Sequence, residues 1–156
     1  MLCFQDLNTE TTETTELSAN SLAAPLIERE AKLLVEHDLT GEIVDSAIEV
    51  HRVLGPGLLE SVYRTCLIHQ LDAKGLKVDS EVPIAIRFKD LDIPTGYRAD
   101  VIVEDRVLLE LKAVERTLPL HEVQILTYLK LTGIRVGFLI NFNVSRLQLG
   151  LRRYVR

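Results

Sequence analysis

The chain has 156 residues, 47% of them hydrophobic, with a formal net charge of −5. That length suits one domain with a buried core. No apolar run approaches a membrane span, and Cys3 and Cys66 are too few and too scattered for a disulfide framework or a zinc site. The charge is uneven: 7 of the 23 acids and 2 of the 18 bases lie in residues 1–36, so that segment carries the whole −5 and residues 37–156 are neutral. A neutral body differs from the strongly basic one of a tight nonspecific DNA binder.

The start, Met1 to Asp6, lacks a basic stretch followed by an apolar one, so no signal peptide is read and the default expectation is a cytoplasmic protein without membrane association. Residues 8–21 are a Thr/Glu-rich tract with almost nothing to bury. Residues 1–36 therefore read as a disordered acidic leader. Within it, residues 22–36 can form a short amphipathic helix on Leu22, Leu26, Leu33 and Leu34, with Pro25 in its first turn.

The domain proper is expected over 37–156. Thr40 can cap a helix whose buried stripe is Ile43, Ala47, Ile48, Val50 and Leu54. Gly55-Pro56-Gly57 ends it and opens a second helix, 58–73, closed by Lys74-Gly75. Period-two alternation of Val82, Ile84, Ile86 and Phe88 predicts a first strand, and residues 89–92 a turn. A second strand is expected over 97–104, a tight turn at Glu104-Asp105-Arg106, and a third strand over 107–114. Pro119 starts a helix to about Leu131; 135–142 is a very apolar strand expected in the sheet interior, and 147–154 adds a short last strand. The order ααβββαβ(β) is an α/β domain, a mixed sheet with helices packed on it.

Asp100 falls on the second strand, and Glu110 and Lys112 on the third, two residues apart and so on one face. The residues around them are apolar. Burying a carboxylate and an ammonium there is costly unless they are paired or bind a metal. A buried ion pair is one sufficient explanation. The other is chemistry: two carboxylates suit a hard divalent cation such as Mg²⁺, and a neighbouring Lys can orient a water or offset developing charge. Gln124 and Tyr128, four apart on the next helix, share a face that can reach a water, a phosphate or the nucleic-acid backbone. Glu60, three residues after Gly57, suits a helix N-terminus; it can also serve as a further metal ligand, with Tyr63 on the same face. His121 precedes Gln124 by one turn and can edge the same site; His51 reads as a packed, hydrogen-bonded histidine. Arg146, Arg152, Arg153 and Arg156 can touch phosphates or simply solvate a strand edge.

Gly57-Leu-Leu-Glu60-Ser-Val-Tyr63 resembles the namesake motif of the GxxExxY proteins, small bacterial and archaeal domains. The resemblance continues through His51–Gly57, Gly96–Asp100, Leu109–Val114, His121–Gln124 and Leu139–Val144, and covers about 38–155. That family is similar to the PD-(D/E)XK nuclease superfamily, which implies a restriction-endonuclease-like fold. It also implies that Asp100, Glu110 and Lys112 are the core acid, acid and lysine, that Gln124 and Tyr128 form a Gln-x-x-x-Tyr element, and that Glu60 is the helix glutamate assisting the metal. Ala99 stands where the superfamily name has Pro. The implied activity is hydrolysis of DNA phosphodiester bonds with Mg²⁺ (or Mn²⁺), Asp100, Glu110 and Glu60 holding the metal, Lys112 and Gln124 positioning the water, and Tyr128, Tyr63 and His121 lining the substrate. The alternative is a catalytically silent module of the same fold that binds a protein or nucleic-acid partner, with a homodimer among the options.

Overall fold

The computed structural model describes residues 36–156. The expected leader, with its helix over 22–36, lies outside the described residues apart from Glu36. Two helices come first, α1 (His37–Leu54) and α2 (Glu60–Ala73), then β1 (Val78–Phe88), β2 (Leu91–Val103) and β3 (Val107–Lys112). Helix α3 (Pro119–Thr132), β4 (Val136–Asn141), the single turn α4 (Leu147–Gly150) and β5 (Leu151–Val155) complete the order. The strands form one sheet, β1-β2-β3-β4-β5. Every pair is antiparallel except β3 and β4, which run parallel and are joined by α3. This mixed five-stranded sheet between helices is the α/β domain expected from the pattern, in the restriction-endonuclease-like arrangement that the resemblance implies.

Alternation along β3 explains the layering. Val107, Leu109 and Leu111 pack with Ile43, Ala47, Tyr63, Leu67 and Leu71 of α1 and α2. Leu108 points the other way, into a second cluster with Ile125, Tyr128 and Leu129 of α3. Both faces of β3 and β4 are covered, which is why these strands read as unbroken apolar runs. By the same parity Glu110 and Lys112 share the face of Leu108, toward α3.

The connection between β2 and β3 sets the register. Glu104 and Asp105 take positive φ of 53° and 54°, and the Arg106 amide donates to the Val103 carbonyl at 3.0 Å. Two successive left-handed residues are the hairpin turn whose twist matches the strands. Its loop is held from outside: Glu104 Oε1 accepts the Lys77 amide at 2.6 Å, and Lys77 Nζ reaches Asp105 at 2.7 Å.

Several boundaries differ from the sequence expectation. Helix α1 starts at His37, and Thr40 sits inside its first turn, bonding the His37 carbonyl at 3.0 Å instead of capping. The β1–β2 hairpin is longer than its alternation suggested, beginning at Val78 and turning at Lys89-Asp90. The expected strand accommodates Pro83, and the added stretch of β2 accommodates Pro94. Pro83 is tolerated because β1 is an edge strand, and Pro94 because β2 has no β3 partner at that level. Residues 147–154 are not one strand: Leu147 and Gly150 are buried three apart on the α4 turn, and only then does β5 begin. The turn needs a glycine at its end, because a Cβ on Gly150 would stand 2.2 Å from the Asn141 carbonyl oxygen. Gly150→Ala is therefore expected to lower stability by at least about 2 kcal/mol, since backbone must move to admit the methyl; an unchanged urea midpoint would show that α4 yields freely.

Candidate active site

The β2–β3 ladder pairs Val103 with Val107, Ile102 with Leu108 and Val101 with Leu109, and then stops. The next opposed residues are Asp100 and Glu110. Here β2 follows β1 while β3 stays with β4 as far as Lys112–Asn141. The backbone amide freed by this parting is not left empty: Asp100 Oδ2 accepts the Leu111 N–H at 2.7 Å. One carboxylate oxygen thus replaces a rung of the ladder and is aimed by it.

Glu110 is 2% exposed. Its Oε1 accepts from Lys112 Nζ at 2.7 Å, so the ion pair anticipated from Glu-x-Lys does form. It satisfies only half of the carboxylate, because Oε2 is buried with no hydrogen-bond partner among the described residues. An orphaned buried acceptor costs on the order of 1–3 kcal/mol. Burial, with the charge of Asp100 added, pushes the Glu110 carboxyl up to about 7 against the opposing pull of Lys112. Burial likewise raises Asp100, opposed by the Leu111 amide, Lys112 and Arg64. For Lys112, burial alone would lower the pKa; the bond to Glu110 and the charges of Glu110, Glu60 and Asp100 outweigh it and leave it raised.

Glu60, the first residue of α2, is half-buried, and its carboxyl is raised by burial and by Asp100 while Lys112 and Arg64 oppose. It therefore belongs to the same electrostatic cluster. Gln124 Nε2 donates to the Tyr128 hydroxyl at 2.5 Å, and the Tyr128 ring is buried with its centroid 5.2 Å from that of Tyr97. Burial raises the Tyr128 pKa, and the charges of Glu110, Asp100 and Lys112 all reach it. His121 is held at the head of α3 by the Leu118 amide, 3.2 Å from Nδ1; burial and then Lys112 lower its pKa.

Tyr63 is not brought to this cluster. Its ring is fully buried and stacked on Phe142 at 4.5 Å. Its hydroxyl donates to the Gly55 carbonyl at 2.6 Å and accepts the Leu58 amide at 3.1 Å. The expected substrate-lining residue instead staples the Gly55–Leu58 loop, in which Gly57 takes a φ of 99° that other residues rarely adopt. His51 is packed and hydrogen-bonded as expected, with Nε2 2.8 Å from the Val144 carbonyl. Of the terminal arginines, Arg152 pairs with Glu122 on α3.

Three residues were not singled out from sequence. Arg64, one turn after Glu60, stands 3.5 Å from Asp100 Oδ1 and 3.7 Å from Glu81 Oε1. Glu81 sits in β1 between the pairs Ser80–Val101 and Val82–Ala99, opposite Asp100, with a φ of 51°. For a residue with a Cβ that conformation costs on the order of 1–3 kcal/mol. Asn141 is buried at the end of β4, accepting the Val114 amide at 3.1 Å and donating to the Val114 carbonyl at 2.8 Å. It clamps the chain just past Lys112. A lone amide in an apolar strand was the signal that would have found it.

The chemistry of the donor set is consistent with a divalent cation. The donors are oxygens, one of them unpartnered and buried, beside a second carboxylate already oriented by an amide. Among the described residues no three His, Cys, Asp or Glu side chains are grouped to hold a metal ion. Glu60 shares the electrostatic environment of Asp100, Glu110 and Lys112. A cavity of about 370 Å³ between α1 and α2, lined by Val50, Val53, Leu54 and Cys66 among others, involves none of these acids.

The model of the PD-(D/E)XK nuclease superfamily matches residues 37–154. The chain belongs to that superfamily. No curated protein and no solved structure matches it. Nucleases of this superfamily typically use divalent metals, and membership suggests nucleic-acid binding. Among the described residues no helix is long and apolar enough to cross a membrane.

Two predictions follow from the geometry. Glu110 takes up a proton on folding between its ordinary 4.5 and about 7. The folded state binds more protons in that window, so this group's contribution is present below it and lost as pH rises through it. Melts from about pH 5 to about pH 8 should show the metal-free protein losing stability relative to Glu110→Gln; parallel curves would assign the proton elsewhere. Tyr63→Phe removes both loop bonds but keeps the stack, and is expected to cost about 1–3 kcal/mol in chemical denaturation.

Proposed function

We propose that this protein is a divalent-metal-dependent nuclease that hydrolyses DNA phosphodiester bonds, with Asp100, Glu110 and Lys112 as its core. The observation that carries the reading is the buried, unpartnered Oε2 of Glu110 next to an Asp100 carboxylate already aimed by the Leu111 amide. Folding tolerates such an orphan most readily where a cation completes it. Bound there, Mg²⁺ (or Mn²⁺) would supply Lewis acidity toward a phosphodiester oxygen and a water.

The protein's own residues do the rest. Asp100 and Glu110 hold the cation, and Glu110 must first give up the proton that burial lets it keep near neutrality. Lys112 stays charged because three carboxylates surround it; its Nζ orients the attacking water and offsets charge on the phosphate. Gln124, fixed through Tyr128, offers a hydrogen bond to the same water or to a phosphate oxygen. His121 edges the site. Glu60 supports the charge of Lys112 and would serve as a further ligand beside Asp100 and Glu110.

We further infer that the chain lies in the GxxExxY branch. The motif has a physical basis here: Gly57 supplies the positive φ, Tyr63 locks the loop, and Glu60 starts the helix facing the cluster. DNA, the cytoplasm and a homodimer or protein partner complete the reading, with residues 1–36 as an acidic leader.

A plasmid-nicking assay with Mg²⁺ or Mn²⁺ tests it. Asp100→Ala and Lys112→Ala are each expected to lower the rate on the order of 100-fold or more. A wild-type protein that is folded, yet neither cleaves DNA nor binds either metal, would sink the nuclease reading and favour a catalytically silent binding module.

A further inference from the structure

Four carboxylates, those of Asp100, Glu110, Glu60 and Glu81, gather around two partly buried cations, Lys112 and Arg64. Lys112 is bonded tightly to Glu110 at 2.7 Å. Arg64 is held differently. It lies between Asp100 Oδ1 and Glu81 Oε1 at 3.5 and 3.7 Å, beyond the short contacts of a charge-assisted hydrogen bond. Its guanidinium has five donors and a fixed fork, so a location that uses neither acid closely is loosely held. Asp100 Oδ2 is taken by the Leu111 amide, so Oδ1 is the oxygen left for a cation, and it is the one Arg64 faces.

Glu81 supplies the second half of the arrangement. It is exposed, and its backbone is left-handed in the middle of a strand, at the one position of β1 that lies opposite Asp100. Ordinary strand geometry would turn consecutive side chains to opposite faces. Glu81 Oε1 lies 3.7 Å from Arg64 and 3.5 Å from Arg98.

We propose that Arg64 is a positioning residue: it is the resident counter-ion of Asp100 in the metal-free protein, and it withdraws onto Glu81 when a divalent cation takes Asp100 Oδ1. The proposal rests on the metal-dependent reading above. In the free state Arg64 adds to the Leu111 amide and Lys112 in compensating a partly buried carboxylate, and it is the cation that faces Oδ1. In the loaded state Glu81 keeps Arg64 from competing with the metal.

The test has a metal-free arm and a metal arm. In metal-free thermal melts, Arg64→Ala should lower the midpoint clearly in the wild-type background and much less in Asp100→Asn, because the coupling is lost with the charge. Equal drops in both backgrounds overturn the counter-ion role. In calorimetric titration with Mn²⁺ alone, Arg64→Ala should bind several-fold tighter than wild type, and Glu81→Gln several-fold weaker. Arg64→Lys, which keeps the charge, should bind like wild type. A merely structural Arg64 would weaken Mn²⁺ binding or leave it unchanged, and either result overturns the proposal while wild-type binding keeps the nuclease reading alive. Absence of Mn²⁺ binding by folded wild type defeats both.

Discussion

The hydrogen bond from the Leu111 amide to Asp100 is the interaction on which the site depends. Two strands that part must either leave backbone groups bare or find them another partner. Asp100 provides that partner from its own side chain, so the opening between β2 and β3 is also the act that orients the first acid. Everything else is arranged around the gap. The left-handed turn at Glu104-Asp105 sets the register that puts residue 100 opposite residue 110, and parallel pairing with β4 continues along β3 past the point where its pairing with β2 ends.

The site is costly as a piece of core. A carboxylate 2% exposed with one bare oxygen, a partly buried ammonium and a strained strand residue all oppose folding. The surrounding packing absorbs this because both faces of β3 and β4 are covered by aliphatic clusters. Local conflicts with good packing are where a functional constraint is expected to show, and here they concentrate within one stretch of three adjacent strands.

Much of this was legible in the chain. Apolar runs announced β3 and β4, and Asp100, Glu110 and Lys112 stood out as charges in apolar surroundings. The stripe of α1 packs inward, but of the apolar positions expected to pack on α2 and α3, Leu59, Val62, Val123 and Leu126 stay exposed. Other parts were hidden for physical reasons. The hairpin extends beyond the apolar alternation because residues 78–81 and 91–96 are largely exposed or half-buried and pair through their backbone. Glu81 was invisible because its strand seemed to begin one residue later, and because its meaning lies in a backbone angle. Arg64 carried a faint signal as the residue four after Glu60. Tyr63 shared a helix turn with Glu60, but aromatic size drew it into the core, where its hydroxyl found backbone partners.

The amide of Asn141 has a consequence for how the protein acquires its site. It clasps Val114 across 27 positions of sequence, with the whole of α3 threaded between. Asp100, Glu110 and Lys112 form one local hairpin that can close early, since hairpins need little loop entropy. The clasp that holds the chain beyond Lys112 waits for β4. A polypeptide emerging residue by residue would thus carry all three charged groups before it owned the scaffold that sets them, so their arrangement belongs to the completed sheet and not to the hairpin that bears them.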